Sequence, residues 1–129
     1  MNEYRLKLME KRVVYFNSRD ELLRLDISKI VYFEGDGNYT NIVTVNKLKA
    51  VVHLNLSQMV DHLARQLGPD TAVFMRIGKR FIINMHYVYQ LNVLKQKIVL
   101  TDYNSFAFQI SLSKEALRKA KELILAEKL

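Results

Sequence analysis

At 129 residues the chain is expected to form one domain, and its half-hydrophobic composition is enough for one real core without metals or disulfides. The absence of cysteine excludes disulfides, thiolate zinc sites and cysteine nucleophiles together, as fits a reducing compartment. Twenty Lys plus Arg against thirteen Asp plus Glu give +7 and a pI near 9.7, which favours anionic partners without choosing among them. No apolar run approaches the ~18 residues of a membrane span, and the N-terminus lacks the apolar core of a signal peptide, so a cytoplasmic protein with no membrane partner is expected.

The dominant rhythm along the chain is of short strands separated by turns. Residues 1–11 read as an N-terminal extension, where Tyr4 to Met9 could add a strand or a dimer contact; the domain proper is placed at residues 12–129. Val13 to Phe16 is a β-branched and aromatic run, and Asn17 to Asp20 reads as the turn that pairs it with Leu22 to Leu25. Ile30 to Glu34 comes next. Gly35-Asp36-Gly37-Asn38 supplies residues that tolerate positive φ, and Tyr39 to Val45 follows as the hairpin partner. Asn46-Lys47 turns the chain into Lys49 to Leu54. Later, Phe81 to Ile83, Val88 to Leu94, Ile98 to Leu100 and Phe106 to Ile110 continue the pattern. In the last of these, Phe106, Phe108 and Ile110 alternate with Ala107 and Gln109, predicting one buried and one wet face.

Two segments break the period of two. Leu56, Met59, Val60, Leu63 and Leu67 recur at helical spacing, Asn55 with Gln58 resembles a capping box, and Gly68-Pro69 stops the helix, predicted at about 55–67. A C-terminal helix at about 113–127 is capped by Ser113. Its apolar stripe runs through Ala116, Leu117, Ala120, Leu123 and Ile124, beside a basic face read chiefly as solvated.

Catalysis has little support, and no cofactor or metal is expected. His53, His62 and His86 lack the spacings that bring metal ligands together. Ser111 and Ser113 read as caps, with no nucleophile elbow around either. Gly35-Asp36-Gly37 is too short for a phosphate loop and precedes a strand. By contrast, positive charge is concentrated: between Thr71 and Thr101 there are five basic residues, Arg76, Lys79, Arg80, Lys95 and Lys97, and no acidic one. Three of them lie in Phe74 to Asn84, against an apolar run, and such a surface suits a polyanion.

Asp26-Ile27-Ser28-Lys29-Ile30-Val31-Tyr32-Phe33-Glu34-Gly35-Asp36-Gly37-Asn38-Tyr39 resembles the opening of the LytTR DNA-binding domain, the output domain of many bacterial response regulators. Leu54 to Met59 resembles the start of that family's helix. Phe74 to Ile77 with Phe81 to Asn84 resembles its arginine-to-asparagine strand, and Ile98 to Ser111 its closing hairpin and serine. The likeness runs from about residue 12 to 125, in order and at matching spacing.

The resemblance implies a mainly β, elongated antiparallel fold of small sheets with side helices, binding double-stranded DNA as a transcription regulator. It implies that loop residues enter the major groove and that repeated half-sites are occupied. Carried over by position, the first reading loop falls at Asn38 to Asn41, with Thr40 facing the groove. The second is Gly78-Lys79-Arg80 and the third spans Ser111 to Lys114, including Ser113. At the second loop family members commonly have His-Arg-Ser, whereas here Lys79 and Arg80 remain to donate to guanine or phosphate. At the third, many members place an arginine after the serine; here Leu112 and Ser113 follow and Lys114 is the displaced substitute. Arg76 has two readings: it holds a carboxylate such as Glu34 to fix the loops, or it contacts phosphate. Asn84 is read as structural, closing a turn with its amide.

A receiver domain commonly precedes this domain, and too few residues precede the likeness to hold one. The expectation is a stand-alone regulator or a segment of something longer, with a homodimer and a sensor or receiver acting in trans as candidate partners. Two rival classes stay open: a single-strand nucleic-acid-binding β-module stacking bases on Tyr32, Tyr39, Tyr87 and Tyr89, and a protein-interaction domain derived from a DNA-binding fold.

Overall fold

The computed structural model describes residues 12–128, so the proposed N-terminal strand or dimer contact lies outside the described residues. Strands β1 (Val13–Asn17) and β2 (Leu22–Asp26) pair in the predicted hairpin, with the Ser18 N–H donating to Glu21 O at 2.9 Å across the turn. Strands β3 (Ile30–Asp36), β4 (Tyr39–Thr44) and β5 (Lys49–Val52) follow as a meander. Lys47 takes φ 68° in the turn between the last two.

Helix α1 (Leu56–Leu67) begins at the predicted capping box: the Gln58 N–H donates to Asn55 Oδ1 at 2.8 Å and the Asn55 N–H to Gln58 Oε1 at 2.9 Å. Gly68, at φ 54°, ends it. The stretch Phe74 to Asn84 is a hairpin, β6 (Phe74–Ile77) and β7 (Phe81–Asn84), turned by Gly78 at φ 68°. Strands β8 (Val88–Asn92), β9 (Lys97–Thr101) and β10 (Ala107–Ser111) and helix α2 (Lys114–Lys128) complete the order. Short 3-10 turns at Ile27–Lys29, Gly68–Val73 and Met85–Tyr87 have no counterpart in the sequence pattern.

The strands form three antiparallel sheets: β1-β2, β10-β9-β8, and a five-stranded sheet ordered β5-β4-β3-β7-β6. The period of two in the central strands sorts residues between two cores. Phe33 and Ile82 join Val14, Phe16, Met59 and Leu63 on the α1 side, while Val31 and Ile83 join Ile98, Leu100 and Leu117 on the α2 side. Burying each such side chain contributes about 1.5–3 kcal/mol, so the central strands are held from both faces.

Asn84 carries the structural role expected of it. Its buried amide donates to Ile30 O at 2.8 Å, and its Oδ1 accepts the His86 N–H at 2.9 Å. The β1-β2 hairpin is fixed to α1 through backbone: the Tyr15 N–H donates to Gln66 Oε1 at 2.7 Å, and Tyr15 O lies 2.7 Å from His62 Nε2. Among the described residues no helix is long and apolar enough to cross a membrane.

Candidate nucleic-acid interface

The second loop is held from both faces of the central sheet. Arg76 lies opposite Ile82, and Ile82 opposite Phe33, so Arg76 projects on the α1 side. There its guanidinium donates to Ser57 Oγ at 3.1 Å and to Lys79 O at 3.2 Å. Glu34 is one residue on from Phe33 and points to the other face. This parity excludes the Arg76–Glu34 pairing considered from the sequence. The partner of Glu34 is Arg80, which donates to its carboxylate at 2.8 Å with the guanidinium 5.9 Å above the Phe81 ring. The Gly35 N–H also donates to Arg80 O at 2.7 Å. Lys79, exposed between these anchors, takes part in no ion pair among the described residues.

The first loop differs from expectation at its centre. Asn38 is exposed in the turn after Gly37, and Asn41 is half-buried opposite Glu34. Thr40, expected to face the groove, is 0 % exposed; its hydroxyl donates to Leu54 O at 2.7 Å. Strand parity places it there, since Thr40 shares the inward face of Ile42, two residues on.

At the third loop, Ser113 caps α2: its Oγ accepts the Ala116 N–H at 3.1 Å, leaving the hydroxyl proton free to donate outward. Ser111, also read as a cap, instead ends β10. Lys114 is exposed on the first turn of α2. A side chain at Gly78 would reach Ala116 and Leu112 at 3.7 and 3.8 Å, so the second loop rests on the third.

Two grooves flank the second loop, one reaching the Gly35-Asp36-Gly37 turn just before the first loop and the other reaching the third loop. One, of about 400 Å³, runs between Gly37, Ser57, Arg76, Lys79 and Arg80; the other, of about 600 Å³, between Arg76, Lys79, Ser113 and Lys119. Arg76 and Lys79 border both, whereas Asn38, Thr40, Asn41 and Lys114 line neither. Lys119, on the helix face read from sequence as chiefly solvated, lines the larger groove, and the sequence does not connect Lys95 and Lys97 to the third loop. Lys97 is registered opposite Ser111, and the Leu112 N–H donates to Gln96 O at 3.1 Å, so the β8-β9 turn adjoins that loop. For Lys95 and Lys97, membership in the acid-free basic stretch is the available signal.

The tyrosines do not form one stacking face. Tyr32 packs against Phe81 and Phe108, and Tyr87 against Phe106. Tyr39 stacks on His53 at 4.6 Å, while Tyr89 meets Tyr103 at 5.8 Å on a different sheet. Burial, and then the Glu34 carboxylate, push the Tyr32 hydroxyl upward in pKa.

Comparison with known proteins identifies the family and the fold. A match to the LytTr DNA-binding domain covers residues 20–125. Two curated relatives from Paraburkholderia xenovorans (strain LB400) are heme-containing CO-sensing transcriptional regulators. RcoM 2 is 29 % identical over 111 residues, 86 % of this chain, and RcoM 1 is 26 % identical over 106 residues, 82 % of this chain. The chain spans only 38 % and 37 % of their respective lengths. A solved LytTr DNA-binding domain of a putative methyl-accepting/DNA response regulator from Bacillus cereus superposes with a TM-score of 0.57. That alignment has 18 % identity and covers 88 % of this chain and 96 % of that one. With the family match extending over most of its length, the chain belongs to the LytTR family of DNA-binding domains.

Proposed function

We propose that this chain binds duplex DNA sequence-specifically in a bacterial transcription regulator, with loop residues entering the major groove. The observation that carries the reading is the exposed Lys79 on the border of two grooves, one reaching the Gly35–Gly37 turn and the other the third loop, in a chain of a DNA-binding family. Affinity comes mainly from Lys and Arg neutralising phosphates, and specificity from a few contacts to base edges together with DNA shape. Asn38, Lys79, Ser113 and Lys114 are exposed and suited to such contacts; Arg76 and Arg80 support the loop between them. The reading places the protein in the cytoplasm, on repeated half-sites, with a homodimer or a sensor in trans as the accompanying partner.

Selection from a randomised duplex pool at near-physiological salt tests it, with Lys79→Ala run beside the native chain. A short repeated motif, enriched by the native chain and degraded in the variant, is the expected result. Equal retention of single strands, or no enrichment at all, would reject it.

A further inference from the structure

Resting on the DNA-binding reading, we propose that Glu34, Arg76 and Arg80 are positioning residues that hold the second loop so that, of its three cations, Lys79 is the one presented to the base edges. All three loop-associated cations would be equal candidates from sequence, yet the structure treats them differently. Arg76 commits one N–H to Ser57 Oγ at 3.1 Å and another to Lys79 O at 3.2 Å, tying the loop to the first turn of α1. Arg80 donates to Glu34 at 2.8 Å on the opposite face, and its own carbonyl accepts the Gly35 N–H at 2.7 Å. The loop backbone is thereby fixed on both sides of Lys79, and Gly78 seats it against Ala116. Such fixing reduces the ordering that binding would otherwise require.

The assignment gives an acidic residue a positive role at a DNA-binding surface, and the sign of its effect is diagnostic. If Glu34 were merely a carboxylate near phosphates, Glu34→Gln would remove repulsion and tighten binding. If it holds Arg80, the same substitution loosens the loop and weakens binding. Since Arg80 is 66 % exposed and Glu34 29 %, the loss is modest, about fivefold in Kd.

The experiment compares native chain, Glu34→Gln, Arg80→Met, their double variant and Lys79→Ala. Each is examined by duplex-pool selection and by anisotropy titration across salt, after thermal melts show it folded. Methionine keeps an apolar stem over Phe81 while removing the guanidinium. Both single variants are expected to weaken binding by a similar factor, with the double variant no weaker than either, the enriched motif retained and the salt slope unchanged. Lys79→Ala is expected to lose preference at a base position. Tighter binding in Glu34→Gln, a changed base preference in Arg80→Met, or a salt slope reduced there by about 0.9, as for a lost phosphate contact, would overturn the assignment. Exchange of the Gly35 amide, faster in Glu34→Gln if the anchor is real, decides the loop-holding role without DNA. Failure of the native chain to enrich any motif would instead sink the DNA-binding reading itself.

Discussion

Replacing Thr40 by valine separates a structural role from a DNA-contacting one. Valine preserves the β-branched shape in β4 and removes only the hydroxyl that donates to Leu54 O at 2.7 Å. The side chain is fully buried, so water cannot replace the donor without rearrangement, and the carbonyl just before the Asn55 cap loses this hydrogen bond. The loss of the bond and the partial desolvation of its acceptor together amount to about 1–3 kcal/mol. At about 4 °C per kcal/mol for a domain of this size, the melting temperature should fall by about 4–12 °C. Thermal unfolding followed by circular dichroism measures this, and duplex selection well below the transition should return the native motif. Unchanged melting together with an altered motif would refute the buried placement of Thr40. Thr40→Ser, which keeps the hydroxyl, should also keep the motif.

Asn84→Ala removes the donor to Ile30 O and the acceptor for the His86 N–H, and should destabilise by about 2–4 kcal/mol, read as a lower urea midpoint at unchanged m. Gly78→Ala would make only ordinary van der Waals contacts with Ala116 and Leu112 but must hold φ 68°, so a loss of about 1 kcal/mol is expected by denaturant titration. At Asp102 the Ser105 hydroxyl first, and then the N–H groups of Asn104, Phe106 and Ser105, hold the carboxyl well below the usual carboxylate range despite its desolvation. A carboxyl depressed on folding stabilises fully at neutral pH, and that contribution is lost as pH falls below about 4. Melting temperature measured from pH 5 to pH 2 should therefore decline less steeply in Asp102→Asn than in the native chain.

The parts of this molecule legible in sequence are those governed by local periodicity and local hydrogen bonding. The hairpins β1-β2 and β3-β4 follow from alternating apolar residues around turn-forming ones, and the start of α1 from Asn55 and Gln58 satisfying each other's backbone groups. Thr40 was legible too: two residues from the buried Ile42, it belongs to the inward face, and a loop assignment obscured that parity. The Arg80–Glu34 pair was not. Which arginine reaches Glu34 depends on the register of β3 against β7, and the two side chains it brings together are 46 positions apart in the chain. The approach of Lys95 and Lys97 to the third loop likewise arises from pairing between β9 and β10.

The clamp on Tyr15 has a consequence for how the molecule behaves in company. A two-stranded ribbon ordinarily offers its outer backbone as a template on which another chain can lengthen the ladder. On β1 the central N–H is taken by Gln66 and the central carbonyl is faced by His62, so an incoming strand would have to displace both side chains to pair with Tyr15. Helix α1 thus guards the β1 edge of the ribbon against strand addition, and conditions that fray the last turns of α1 would expose that edge before the cores open.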